Sequence, residues 1–153
     1  MRPNLAKAMT GGLAGTVLMT MTMHFVAPLV LGHPMDIASM LGNMMGGSRA
    51  VGMTAHILNG VVVFPLAYAL VVYRFLLGPP WLRGVVWGLV LWLMAETLVM
   101  PMAGAGVFGS QSGGVKAVIA ALMGHLVYGA PLGLIAGAGP ADAVSTDREA
   151  GRV

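Results

Sequence analysis

The chain has 153 residues, of which 58% are hydrophobic and only 8% charged, whereas soluble domains carry about 25% charged residues. This excludes a water-soluble domain and predicts a single compact integral membrane protein. The absence of cysteine excludes disulfides, thiolate metal sites and cysteine nucleophiles, and a net charge of +3 from a few residues at segment ends gives no nucleic-acid surface.

Four apolar runs are long enough to cross a hydrocarbon core, which takes about 20 helical residues. They fall near Ala8–Leu31, Val51–Tyr73, Leu82–Ala103 and Val115–Ala138. Backbone groups in lipid must be satisfied internally, so each run is predicted to be a helix, with Pro28, Pro65, Pro101 and Pro131 as kinks or ends. The first run is too long for the apolar region of a signal peptide and no small-residue cleavage pattern follows it. The fold expected over residues 1–139 is therefore an all-α membrane protein, a four-transmembrane-helix bundle.

Arg2, Lys7, Arg74, Arg83, Arg148 and Arg152 flank one side of this bundle, and only Arg49 and Lys116 the other. The positive-inside rule then places both termini in the cytoplasm, with Tyr73, Trp81 and Trp87 suited to that interface. Between the first two spans, Ile37, Met40, Leu41 and Met44 repeat at helical spacing after Pro34 and Asp36. They predict a short amphipathic helix on the outer surface, with Asp36 as its start. The connection GAGVFGSQSGG reads as a flexible loop, and residues 140–153 as a polar, disordered cytoplasmic tail.

Each span holds one ionisable residue: His24, His56, Glu96 and His125. A charged group at the helix centre costs roughly 2.5–3.5 kcal/mol on insertion scales, so one in every span points to use. Counted from the span ends, all four lie roughly 8–15 Å below the outer surface. Inward residues at one depth on facing helices are how four-helix bundles build metal and cofactor sites. The four are the candidate metal ligands, for copper, iron or zinc. His56 and His125, on diagonal helices, are the natural axial pair for haem b, with Gly60 and Gly129 leaving room for a macrocycle. The 14 methionines, several beside His24, add thioether donors of the kind that select Cu(I), although methionine also fills apolar interiors. The competing reading is a set of histidines that merely hydrogen-bond across helices.

Glycines recur every fourth residue at Gly11 and Gly15, Gly84 and Gly88, and Gly129, Gly133 and Gly137. Such faces let backbones pack closely in lipid, within the bundle, in a homo-oligomer, or against a larger complex. Gly12 and His24 match Gly84 and Glu96 at an offset of 72, and His56 and Gly60 match His125 and Gly129 at 69. A duplicated helical hairpin would give this pattern.

The segments AHILNG, VMPMAGAGVFG and GHLVYGAPLG resemble a family of small, uncharacterised, four-helix bacterial membrane proteins. The resemblance implies the four-helix fold and a bacterial inner (plasma) membrane, and carries no activity. Three functions are expected from the residues: a binding protein holding a metal ion or haem near the periplasmic side, for electron transfer or metal handling; a non-catalytic accessory subunit docking on a larger, respiratory complex; or a proton or ion transporter. No nucleophile, phosphate loop or paired carboxylates stand out, so an enzyme is the least supported class.

Overall fold

The computed structural model describes residues 4–111 and 113–137. The tail expected from residue 140, the last residue of the fourth expected span, and Arg2, Arg148 and Arg152 lie outside the described residues. Among those described there is no strand.

Four helices are long and apolar enough to cross a membrane: α1 (Leu5–Leu31), α3 (Arg49–Phe75), α4 (Pro80–Met102) and α5 (Gly114–Gly137). A short helix, α2 (Ile37–Met44), stands between the first two. Each span begins two or three residues before the apolar run, except α5, where the difference is one. Asn4 caps α1 by accepting from the Lys7 amide at 3.2 Å, and Pro80 opens α4, where its missing N–H is no loss. Gly32 ends α1 in the left-handed conformation, its N–H donating to the Pro28 carbonyl at 2.7 Å.

Three prolines leave a shared mark. A proline in a helix removes one N–H and its ring clashes with the carbonyl four residues earlier. Those carbonyls belong to His24, Val61 and Thr97. Each sits in a π-turn, over Thr22–Val26, Asn59–Val63 and Ala95–Val99. Widening the helix there relieves the clash. Pro131 is absorbed in α5 without such a turn, and a fourth π-turn, Tyr68–Val72, has no proline after it.

The spans pack as a row, α3–α1–α5–α4, with α1 and α5 in the middle. Glycine sets the two tightest crossings. A Cβ on Gly12 would strike Pro65 and the Gly60 carbonyl, joining α1 to α3. One on Gly84 would strike the Gly129 carbonyl and Gly133, joining α4 to α5. Gly12 and Gly84 are equivalent under the sequence offset, as are Gly60 and Gly129, so the same contact occurs twice. Gly88 meets the His125 carbonyl, Gly133 and Gly137 meet Pro80, and Gly11 and Gly15 meet Leu132 and Tyr128. All three glycine rows expected from the sequence are thus occupied by neighbours in the same chain. The centre between the spans is closed by Tyr68, Leu132, Leu91 and Trp87, all nearly inaccessible.

Helix α2 does more than lie on a surface. Its small residues Ala38 and Gly42 seat against Gly52 and Ser48 at the start of α3, which turns its larger apolar side chains inward over the bundle. Asp36 caps it, accepting from the Ser39 amide at 3.0 Å and the Ser39 hydroxyl at 2.8 Å, and pairs with Arg49 at 3.1 Å. The glycine-rich α4–α5 connection is also held down. Phe108 packs edge-on against Trp92, with ring centroids 5.7 Å apart, and takes a positive φ of 50° to do so.

Candidate functional site

Because α3 and α4 stand at the two ends of the row, a groove opens between them over the α1–α5 pair. Its cavity, of about 180 Å³, is roofed by Ile37, Met40 and Leu41 of α2. His56 of α3, Glu96 of α4 and His125 of α5 all line it. Counted along their helices, His56 and Glu96 lie six or seven residues from the α2-side ends, and His125 eleven. That is roughly 9–17 Å deep. The sequence placed four residues, His24 with these three, at one depth in one interior space; His56, Glu96 and His125 line this cavity.

His24 is placed differently. It is exposed, its ring lies against Phe25 at 4.8 Å, and it lines a second cavity of about 330 Å³ on the outer flank of α2. His56 lines both cavities. The four residues therefore form two groups joined at His56. Among the described residues, no three of His, Asp and Glu stand close enough together to hold a metal ion by themselves.

Hydrogen bonds assign the tautomers of the two interior histidines. The Thr20 hydroxyl lies 2.7 Å from the Thr16 carbonyl and 3.1 Å from His56 Nε2. A hydroxyl has one proton to give, and the carbonyl can only accept, so His56 Nε2–H donates to Thr20. His56 Nδ1 then carries a lone pair. His125 Nδ1 lies 2.8 Å from the Ala121 carbonyl and must donate to it, leaving Nε2 with its lone pair. Histidines that ligate metals are oriented in this way, one ring N–H being anchored to a protein acceptor.

Glu96 completes the group. It is 1% exposed, and its Oε2 has no hydrogen-bond partner among the described residues. Buried polar atoms are paired in the large majority of cases; Tyr68 Oη and Trp87 Nε1 are also unpaired among the described residues, and of the three only Glu96 lines this cavity. The rest of the cavity wall is soft and apolar, with Met19, Met35, Met94 and Met100 among its residues. Tyr128 forms its floor, donating from its hydroxyl to the Gly60 carbonyl at 2.8 Å.

Thr20, Asn59 and Tyr128 belong to the site and were not singled out in the sequence. Threonines in apolar helices usually bond the carbonyl four residues back, as Thr10, Thr16, Thr22, Thr54 and Thr97 do here. Nothing in the sequence marks Thr20 as the one that also reaches across. Tyr128, four residues from Gly124 and one from Gly129 on a glycine-rich face, did carry a signal, since a phenol there needs an acceptor.

Fold and site together define an all-helical protein with four helices suited to spanning a membrane and a polar group buried in a groove between them. The chain belongs to DUF6789, a family of unknown function, whose model matches residues 2–142. No curated protein and no solved structure matches it.

Proposed function

We propose that this protein is a membrane-embedded binding protein that holds a metal ion in the groove between α3 and α4, in the service of metal handling or electron transfer. The observation that carries the reading is Glu96, buried with an unpaired oxygen in a cavity that two imidazoles also line. His56, His125 and Glu96 are the donors. Since no three of them close around one point, the remaining coordination falls to the thioethers of the same wall, which favours a soft or borderline ion such as copper over a hard one. Haem fits poorly. A cavity of about 180 Å³ is close to the ~150 Å³ engineered cavity that takes up benzene, and far from the size of a macrocycle.

The membrane is read as a bacterial inner membrane from the resemblance, and the α2 side as outward from the basic residues at the opposite ends. Reporter fusions near residues 47 and 75 decide that orientation. A duplicated hairpin is supported by the repeated glycine crossing.

The test is metal content. Full-length protein purified anaerobically in mild detergent is expected to carry copper, zinc or iron by mass spectrometry, and His56→Ala and His125→Ala are each expected to lose it. Metal-free wild type that also fails to take up any of these ions overturns the reading. A second reading, a proton relay, draws on the same buried carboxyl flanked by histidines. Proton uptake by reconstituted vesicles that is lost in Glu96→Gln would favour it. Docking as an accessory subunit has less support, because the glycine faces assigned to it are filled within the chain.

A further inference from the structure

Methionine is unevenly spread. Of the 14 methionines, all but Met1 and Met9 lie in α2, in the loops beside it, or in the α2-side half of a span. The opposite half is filled instead with leucine, valine, tyrosine and tryptophan. A residue used only to fill apolar gaps has no reason to prefer one end of a bundle.

The second cavity gathers part of this set. Its wall holds Met23, Met35 and Met53 together with His24 and His56. Met23 and Met35 are tied to each other through the backbone, the Met35 amide donating to the Met23 carbonyl at 3.2 Å. The Asp36–Arg49 pair stands at the rim, 45% and 64% exposed respectively, so this cavity meets the aqueous side. Met35 and His56 also line the inner cavity. The two spaces therefore share a wall made of one thioether and one imidazole.

We propose that the outer cavity is a Cu(I) site, with thioether donors from Met23, Met35 and Met53 and an imidazole donor from His24, His56 keeping its one lone pair for the inner site. In this role it loads the inner site through their shared wall. Thioethers and imidazoles are the donors that select Cu(I). Thioethers carry no charge and no proton, so the site needs no buried anion and takes a monovalent cation at little desolvation cost to its ligands. The short connection from α1 to α2 carries Met35 to this wall, and the seat of α2 on Gly52 holds Met53 beneath it. The role in loading rests on the metal-binding reading of the inner cavity. The outer site does not depend on Glu96.

The test is anaerobic competition between the purified full chain and the Cu(I)–bicinchoninate complex. Wild type is expected to withdraw Cu(I). The Met23→Leu/Met35→Leu/Met53→Leu variant, which keeps volume and removes the sulfurs, is expected to bind at least about tenfold more weakly, as losing direct ligands should cost no less than losing their supports. Independently of any variant, protein made with selenomethionine and loaded with Cu(I) is expected to show copper–selenium scattering in its X-ray absorption spectrum. Glu96→Leu, which removes an inner donor, is expected to lose the inner ion and to keep the copper–selenium scattering. No uptake by wild type, no copper–selenium scattering, or a triple variant that binds like wild type overturns the outer site. If uptake is instead lost in Glu96→Leu and kept in the triple variant, the ion sits in the inner cavity: the outer site fails while the metal-binding reading stands.

Discussion

Replacing Glu96 by leucine should make this protein more stable. The carboxyl is 1% exposed and its Oε2 is unpartnered. A buried polar atom left unpaired costs about 1–3 kcal/mol. On insertion scales an acidic residue at the bilayer centre costs roughly 2.5–3.5 kcal/mol while leucine gains a few tenths. Glu96 sits about 9 Å below the α2-side end of its helix, short of the midplane, and the smaller figure governs. The expected gain is therefore about 1–3 kcal/mol, or roughly 2–12 °C in Tm for a chain of this length. Glu96→Gln retains the shape and a polar atom at the same place, so it should change stability little. The measurement is reversible unfolding in mixed micelles by SDS titration, with thermal unfolding in detergent alongside it. A residue kept for a ligand shows this trade, higher stability with binding lost. If Glu96→Leu instead lowers stability by more than about 1 kcal/mol, the carboxyl holds the helices together and the reserved-site reasoning is wrong.

Tyr128→Phe removes the hydroxyl that bonds the Gly60 carbonyl across α5 and α3. Such bonds in membranes average about 0.6 kcal/mol and reach about 1.7, so a loss within that range is expected in the same titration. Asp36 is held below its ordinary carboxylate range, first by the Ser39 amide and hydroxyl and to a lesser degree by Arg49. Its contribution to the α2 cap is therefore present above about pH 4 and is lost as pH falls through the lowered value. Hydrogen exchange at the Ser39 amide should accelerate, relative to its neighbours, below that range, and in Asp36→Ala it should be fast at neutral pH too.

The four spans were legible because run length is a coarse signal that survives small errors. The differences lie at the ends, where Asn4, Ser48 and Pro80 extend helices into residues that hydropathy leaves out. The shared depth of His56, Glu96 and His125 was legible for the same reason: depth needs only a count along the helix. Facing needs more. His24 lies inside the π-turn that Pro28 forces on α1, where a 3.6-residue period no longer tells which way a side chain points. It came out on the far side of His56 from the inner cavity. Helix α2 was read correctly as amphipathic, with Asp36 at its start. Its inward seat depended on Gly52, a residue whose role shows only when Ala38 is beside it. The α4–α5 connection looked loose in composition, yet its described residues carry backbone turns such as Ala105 N–H to the Met100 carbonyl and Gln111 N–H to the Ala105 carbonyl, both 2.9 Å, beside the Phe108–Trp92 contact.

The seam between α4 and α5 runs from Pro80 to the level of Gly88 and His125, with backbone against backbone and almost no side chains between. It has nothing to repack, so it behaves as a clasp. Beyond it α4 continues for eight residues to Glu96, a lever of about 12 Å. Admitting a body about 2 Å wider than the present groove would tilt this stretch of α4 by about 10° about that clasp, working against the bond from Trp92 Nε1–H to the Val118 carbonyl at 3.2 Å, with no shift at the opposite end. The size of the occupant would thus be written as a tilt, felt by the lipid at one face of the membrane only.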